Sequence, residues 1–253
     1  MSPPKTSRPK GSRPARKVRR RRPASPQGSL LFRVIAALSR MQVSYMVRNA
    51  SRPGVIVATF ALISGASALA LITLAAQLLD LPLLFPPLGP TAFILFYTPM
   101  AASASPRNTI QAHCMAVAAG LGSMWVVDYV FPIANLVDPA TMNGYRVAAI
   151  TLAMILISIA MMTTRSIHPP AAASALIAAM GYLRTPMQIL GLPAAVLFLV
   201  FLAVILNRMV GGLPYPLWRA DPDASRLYSF LAGNPESGTF WGQLNQQLYQ
   251  RRD

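Results

Sequence analysis

The 253-residue chain has few charged side chains, and its middle has almost none. Between Pro53 and Arg208 there is no lysine and no glutamate, and the stretch contains only five arginines and three aspartates. A protein surface that faces water carries many charges, so a stretch of this composition cannot cover one. The composition therefore excludes an ordinary soluble enzyme and indicates that lipid is the solvent of this region.

Cysteine is also scarce. Cys114 is the only cysteine, which excludes a disulfide framework, and no CxxC motif or Cys/His cluster indicates a structural metal. We therefore expect no cofactor. The apolar part of the sequence shows no paired carboxylates and no recognisable nucleophile and base pair, so we predict that the chain is not an enzyme. A membrane-embedded enzyme, or a structural membrane protein without transport activity, is the alternative.

Long apolar stretches are what the sequence has instead. Four of them approach the roughly 20 residues that a membrane-crossing helix needs: Val55–Leu79, Thr109–Phe131, Tyr145–Thr164 and Gln188–Leu206. Two shorter apolar stretches, Leu81–Ala102 and Ser166–Leu183, carry prolines early. The predicted fold is an all-α polytopic membrane protein with four long transmembrane helices and two Pro-interrupted helices, either broken or re-entrant.

The basic residues are concentrated before the first apolar stretch. Residues 1–52 hold fourteen of the 23 lysines and arginines. Residues 1–29 combine Pro, Ser and basic residues without an apolar period, which predicts a disordered basic tail attracted to anionic lipid. The tail has no aromatic side chains to stack on bases, which argues against nucleic acid as a partner.

The segments that flank the apolar region have their own patterns. Residues 30–52 place apolar side chains on one helical stripe and predict an amphipathic helix at the membrane interface: Leu31, Val34, Ile35, Leu38 and Met41. Residues 53–208 form the predicted transmembrane domain. Residues 209–253 are polar with scattered aromatic side chains and are predicted to be a cytoplasmic C-terminal tail.

A short internal repeat lies in the two interrupted stretches. Phe85–Ala92 aligns with His168–Ala175 at a constant offset of 83, matching a Pro-Pro pair, a hydroxyl residue and an alanine. Each copy follows one long apolar stretch and precedes another, so we predict two internal repeats. Interruptions at corresponding places in two halves are the best sequence indication of a transporter binding site.

The same motifs carry a family resemblance. His168-Pro169-Pro170, Phe85-Pro86-Pro87-Leu88-Gly89-Pro90-Thr91-Ala92-Phe93 and Ser105-Pro106-Arg107-Asn108 resemble the HPP family of integral membrane proteins over roughly residues 53–208. The resemblance implies a four-helix membrane protein. Because plastid and cyanobacterial members are associated with nitrite transport, it also implies nitrite as the transported small anion.

The prolines predict where an anion would bind. Proline disfavours helix in the residue before it, so Leu84–Pro90 and Ile167–Pro170 should be extended, with short helices starting near Thr91 and Ala171. A helix that starts inside the membrane presents unpaired N–H groups and a partial positive charge to an anion. The expected substrate-binding residues are Pro87, Gly89, Thr91, His168, Pro170 and Ser174.

Histidine and arginine side chains add to this hypothesis. His168 would donate a hydrogen bond to the anion or carry a proton with it, and a purely structural role is the alternative. His113 is expected to form an interfacial hydrogen bond, and Arg107 and Arg165 are expected to set topology or gate anions. Small residues at helical spacings are interpreted as packing faces: Ser64, Gly65, Ala68, Ala116 and Gly120.

The sequence is compatible with two numbers of membrane crossings. If the interrupted stretches dip in and return, the chain crosses four times; if they pass through, it crosses six times. The positive-inside rule favours six crossings, because Arg107, Arg165 and Arg208 then share the side of the basic tail. Both solutions leave the two termini cytoplasmic. We expect an integral protein of the bacterial inner membrane, surrounded by lipid, and the sequence leaves a homo-oligomer open.

Overall fold

The computed structural model describes residues 37, 39 and 42–233, apart from 137 and 141. The predicted tail 1–29, residues 30–36, 38, 40 and 41 of the predicted interfacial helix 30–52, and the residues from 234 onward lie outside the described part. Within the described residues all regular elements are helical. The predicted all-α class is therefore confirmed.

The α-helices are numbered here in chain order. They are α1 Val43–Asn49, α2 Pro53–Leu79, α3 Leu88–Tyr97, α4 Pro106–Val130, α5 Gly144–Thr164, α6 Ala171–Ala179, α7 Pro186–Ile205 and α8 Pro222–Leu227. Single turns of 3-10 helix lie at Ala102–Ala104, Pro132–Ala134 and Ser229–Ala232, and a π-helical turn at Leu206–Val210 extends α7.

Four helices are long and apolar enough to cross a membrane: α2, α4, α5, and α7 with its π-helical turn. They coincide with the four predicted stretches. Local sequence signals fix their starts. Ser105 and Thr185 each cap a helix whose first residue is proline, and Asn143 caps α5 through the N–H of Arg146. The prediction of four long transmembrane helices is confirmed.

The two short helices, α3 and α6, follow a common path into the bundle. The long helix before each one ends at a residue in the left-handed conformation, Asp80 with φ 52° and Arg165 with φ 52°. An irregular segment that contains proline then leads to the short helix. The predicted start of α6 at Ala171 is confirmed.

The predicted start of α3 near Thr91 is wrong, because this helix begins at Leu88. Pro90 occupies its third position rather than the extended segment before it. Proline is tolerated in the first turn of a helix, where its missing N–H has no helical partner to lose. The two short helices consequently begin at positions related by the same offset of 83 as the sequence motifs.

The contacts at the helix ends define how the chain runs. We call the end of the bundle where α4 begins end A, and the end where α4 finishes end B. The guanidinium of Arg107 donates to the carbonyls of Thr164 and Arg165, so α5 finishes at end A. The amide of Asn143 donates to the carbonyl of Ala134, so α5 begins at end B.

The short helices also run between these ends. His168, before α6, contacts the carbonyl of Ser103 at end A, and Arg146 donates to the carbonyl of Ala179 at end B. Pro82, before α3, packs against Gly191 near the start of α7 at end B, and α3 then leads to end A. The chain therefore passes six times between the two ends, and neither short segment returns to the end it came from.

The short helices exchange neighbours between the halves of the chain. Helix α3 packs on α2, which precedes it, and on α7 from the second half. Helix α6 packs on α5, which precedes it, and on α4 from the first half. Each short helix thus lies beside its own preceding helix and the last long helix of the other half. A duplication of entire halves stays a prediction.

The segment after α7 packs against end A. The Tyr215 hydroxyl donates to the carbonyl of Ala104, and the Ser225 hydroxyl donates to that of Met100. Burial raises the pKa of the Tyr215 phenol, which keeps it a neutral donor. Leu231 is buried in an apolar cluster with Val57 from α2. This packing holds the loop between α3 and α4 in place.

Candidate functional site

The first turns of α3 and α6 are built alike. Pro87 and Pro170 occupy the position before each helix, and neither helix has a side-chain cap. The N–H groups of Leu88 and Gly89 donate to the carbonyls three residues back, as do those of Ala171, Ala172 and Ala173. An anion at either start would therefore interact with the helix dipole and with nearby hydroxyls more than with unpaired N–H groups.

Four polar side chains come together between these two helix starts. Thr91 and Ser174 each occupy the fourth position of a short helix, and His113 of α4 lies between them. His113 Nε2 is 3.0 Å from Thr91 Oγ1, and His113 Nδ1 is 2.7 Å from Ser174 Oγ. With His168, these residues form what we call the histidine cluster. One histidine thereby joins both short helices.

His168 completes the cluster from the segment before α6. Its Nδ1 lies 2.7 Å from the carbonyl oxygen of Ser103, and its Nε2 lies 3.4 Å from Thr91 Oγ1. The two imidazole ring centroids are 5.2 Å apart. All four side chains of the cluster are fully buried. Buried polar groups of this kind are rare in an apolar bundle and mark candidate functional sites.

The position of His113 corrects the sequence-based interpretation. An interfacial hydrogen bond was expected, but the side chain is buried inside the bundle and bonded to both short helices. The sequence contained a usable signal. His113 lies three residues before Ala116 and seven before Gly120, so it shares a helical stripe with two positions that were predicted to be a packing face.

The same contacts correct the expectation that the core holds no nucleophile and base pair. The Ser174 hydroxyl and the His113 imidazole form such a pair at 2.7 Å. They were missed because 61 residues separate them in the sequence, and only the packing of α6 on α4 brings them together.

Close packing of α4 on α6 holds the cluster in register. A Cβ atom added at Gly120 would lie 2.4 Å from the Ala175 carbonyl oxygen and 2.5 Å from Ala178 Cβ. Only glycine allows the two backbones to approach this closely. Ala116 is fully buried on the same stripe, and Ser64, Gly65 and Ala68 of α2 are buried as well. The predicted packing faces are therefore confirmed.

The other predicted site residues surround the cluster. Pro87 and Pro170 are buried, whereas Gly89 is half-buried and has open space where a Cβ would lie. Arg107 is half-buried and clamps the end of α5 through its two carbonyl contacts. Arg165 is exposed at that same end. The geometry thus gives Arg107 a role in holding the segment that carries His168.

Further hydrogen bonds fix the segment before α6. The Ser166 hydroxyl donates to the side-chain oxygen of Gln111, which lies one turn after Arg107 on α4. Thr109 lies one turn before His113, and its fully buried hydroxyl has no hydrogen-bond partner among the described residues. That hydroxyl is thus an unsatisfied polar group inside the bundle.

A buried arginine at end B was missed by the sequence analysis. The Arg146 side chain is 1% exposed, and its guanidinium donates to the carbonyls of Ala179 and Asp138. The first of these contacts places a positive charge at the carbonyl end of α6, where the helix dipole favours one. Composition alone gave no sign of this role, because an arginine near a helix start is usually interfacial.

Within the described residues, no group of three or more His, Cys, Asp or Glu side chains could hold a metal ion. The polar groups of the histidine cluster are imidazoles and hydroxyls beside two helix starts. Such groups bind and orient a small polar or anionic solute and exchange protons with it.

Comparison with known proteins agrees with this architecture. No curated protein and no solved structure matches the chain. The family model described as HPP, transmembrane region, matches residues 50–216, which is more than half of the chain and includes all four long helices, both short helices and the histidine cluster. The chain therefore belongs to the HPP transmembrane family.

Proposed function

We propose that this protein is a membrane transporter or channel for a small inorganic anion, and that nitrite is that anion. The observation that carries the proposal is the convergence of two helix starts on the buried histidine cluster. Each helix start contributes about half a positive charge, and the surrounding apolar medium strengthens its attraction for an anion. The choice of nitrite depends on the family resemblance.

The charges of the surrounding elements support an anion. Helices α3 and α6 contain no acidic residue, and the only acidic residue of α4 is Asp128. The Asp128 carboxylate accepts the N–H of Leu136 at end B, far along α4 from His113. An anion beside the cluster would therefore meet hydroxyls and imidazoles rather than carboxylates. The unpartnered hydroxyl of Thr109 is one further donor.

We also propose that end A is cytoplasmic. Arg52, Arg107, Arg165 and Arg208 lie near end A. Among the arginines of the described part, Arg146 and Arg184 lie near end B, beside Asp80, Asp128 and Asp138. The positive-inside rule assigns the arginine-rich end to the cytoplasm. We propose that both termini also lie on that side and that the protein belongs to the bacterial inner membrane.

Uptake of labelled nitrite into liposomes that contain the full chain tests the proposal. Wild-type protein should take up nitrite faster than protein-free vesicles, and His113→Ala should lose most of the difference because it removes the link between the helix starts. Gly122→Ala is a matched control on the same helix, since its added Cβ meets no atom within 4 Å. Equal uptake with and without inserted wild-type protein would refute nitrite transport.

A membrane-embedded hydrolase is the second candidate, because the Ser174–His113 pair has the geometry of a nucleophile and its base. A fluorophosphonate probe would label Ser174 in wild-type protein but not in Ser174→Ala if the pair were catalytic. We expect no labelling, since both side chains are fully buried and the other nitrogen of His113 faces a hydroxyl, not a carboxylate.

A further inference from the structure

We propose that the histidine cluster carries one proton together with each anion and that the proton resides on His168 Nε2. This inference rests on the anion transport proposed above and adds its coupling. It follows from the hydrogen atoms that the cluster needs, because each contact must pair one donor with one acceptor.

Two of the contacts determine which atom donates the hydrogen in each of the others. The carbonyl oxygen of Ser103 can only accept, so His168 Nδ1 carries a hydrogen and donates. The carbonyl oxygen of Pro87 can only accept, so the Thr91 hydroxyl donates its one hydrogen there, at 2.7 Å. The Thr91 oxygen is then an acceptor for the Nε2–H of His113. His113 Nδ1 in turn accepts the hydrogen of the Ser174 hydroxyl.

With these assignments, no hydrogen atom lies between His168 Nε2 and Thr91 Oγ1. In neutral His168 the Nε2 atom has a lone pair, and at 3.4 Å it faces a Thr91 oxygen whose hydrogen points to Pro87. A proton on Nε2 turns this contact into a hydrogen bond, and all five contacts are then satisfied. Neutral His113 already has both ring nitrogens in hydrogen bonds. His168 is therefore the group that gains a bond when the cluster takes up a proton.

The charges around His168 make that proton depend on an anion. The groups that face it are His113 on α4, Thr91 on α3 and the Ser103 carbonyl, none of which is negatively charged. On the adjoining elements Arg107 and Arg165 at end A are positive, and the acidic Asp128 lies at end B. A charged imidazole here lacks a fixed counter-ion among the described residues, and an anion bound beside it supplies one. Binding of the proton should then increase the affinity of the cluster for the anion, and binding of the anion should increase its affinity for the proton.

This coupling predicts electroneutral transport. A proton from water on the side of anion entry adds to the Nε2 lone pair, and it returns to water on the opposite side when the anion leaves. One negative ion and one proton cross together, so no net charge moves. An uncoupled pore would instead move one negative charge for each nitrite ion.

Flux measurements at controlled membrane potential separate the two cases. In liposomes with the full chain, wild-type nitrite uptake should follow an imposed pH gradient and not respond to a potassium and valinomycin potential. His168→Gln keeps a side-chain donor but cannot take up a proton, so its remaining flux should respond to the potential and not to the pH gradient. Protein-free vesicles correct for nitrous acid that crosses lipid unaided.

The outcomes distinguish this inference from the proposed function. Wild-type flux that follows the potential and ignores the pH gradient would overturn the coupling and leave anion transport intact. Absence of wild-type flux would refute nitrite transport itself. A variant that fails to insert does not prevent the test, because the wild-type response decides it alone.

Nitrogen NMR gives a readout that does not require transport. The chain has only two histidines, so 15N-histidine labelling of protein purified with a histidine-free tag yields four ring nitrogen signals. On acidification the Nε2 signal of His168 should change to the protonated form, and nitrite should move this change to higher pH. His113 should keep one neutral tautomer meanwhile. A His168 that stays neutral, or a His113 that is protonated first, would overturn the assignment.

Discussion

The two short helices begin alike, but their surroundings differ. Both follow a Pro-Pro pair and place a hydroxyl residue, Thr91 or Ser174, at their fourth position. Three residues before the first helical position, however, one motif has Phe85 and the other has His168. Phe85 packs against the apolar core, whereas His168 joins the histidine cluster. The shared motif thus positions two helix starts, while the titratable group comes from one of them.

The carbonyl ends of the two helices differ as well. The Leu95 carbonyl of α3 accepts from the side-chain amide of Asn207, and the Ala179 carbonyl of α6 accepts from the guanidinium of Arg146. A helix carbonyl end carries partial negative charge, which a guanidinium complements and a neutral amide does not. Helix α6 should therefore be held more firmly in the bundle than α3.

The largest expected difference between α6 and α3 is the loss of unfolding free energy when these two end contacts are removed. Arg146→Ala leaves the buried carbonyl of Ala179 and the carbonyl of Asp138 without this donor, and hydrogen bonds to charged groups contribute about 1.5–3 kcal/mol each. We expect the free energy of unfolding in mixed micelles to fall by about 3 kcal/mol or more. Asn207→Leu should cost about 1 kcal/mol, because it removes one neutral hydrogen bond and also an amide oxygen that has no partner within the described part of the chain.

Arg184→Ala is the matched control for loss of an arginine at end B. Its ion pair with Asp138 spans 3.5 Å between half-exposed side chains, and pairs of this kind contribute less than about 1 kcal/mol. Equal destabilisation by Arg146→Ala and Asn207→Leu would contradict the claim that α6 is held more firmly than α3.

The next largest expected difference concerns how closely each short helix packs on a long helix. Gly120→Ala forces a Cβ against the backbone of α6 at 2.4 Å, whereas Gly65→Ala on α2 places one 3.7 Å from the Phe96 ring, an ordinary contact. Overpacking costs about 1–3 kcal/mol, so we expect that loss of unfolding free energy for Gly120→Ala and little change for Gly65→Ala. Nitrite uptake should fall only with the first, because separating α4 from α6 moves His113 away from Ser174.

Gly122→Ala, which adds its Cβ into open space on the same helix as Gly120, controls for the intrinsic effect of alanine. If Gly120→Ala proved as stable and as active as Gly122→Ala, the close contact between α4 and α6 would not be what positions the cluster.

The sequence predicted the backbone better than the site. Hydropathy and length located four long helices, and proline positions located two interrupted segments, because lipid imposes strict length and composition on anything that crosses it. Arginine positions favoured six crossings; the chain passes six times between the ends of the bundle, four of these passes being long apolar helices, and six membrane crossings stay a prediction. The start of α3 was misplaced because Pro90 is compatible with both a first helical turn and an extended segment.

Side-chain chemistry was only half predictable. Thr91, His168 and Ser174 were named from the motifs that contain them. The roles of His113 and Arg146 were not predicted, because each contacts a residue far away in the sequence. His113 contacts Thr91 across 22 positions, and Arg146 contacts Ala179 across 33. The helical stripe that His113 shares with Ala116 and Gly120 indicates that it faces a neighbouring helix, but a single sequence does not identify the partner residue, which only the packing of the helices shows.

The smallest expected difference compares the two hydroxyls of the cluster. Thr91 contacts both histidines, whereas Ser174 contacts only His113. Thr91→Val preserves shape and removes both contacts together with the bond to Pro87, so nitrite uptake should fall about thirtyfold or more, and Ser174→Ala should lower it about fivefold, since one hydrogen bond contributes about 1 kcal/mol. Thr91→Ser retains the hydroxyl and should restore most of the uptake.

A combined variant tests whether the hydroxyls act through the same histidine. Because Thr91 and Ser174 contact opposite nitrogens of His113, removing one already frees the imidazole to turn, and removing the second should then cost less than it does alone. The loss of uptake in Thr91→Val/Ser174→Ala should therefore be smaller than the product of the two single losses. Strictly multiplicative losses, measured at equal insertion, would mean that the two helix starts contribute independently and that His113 does not join them functionally.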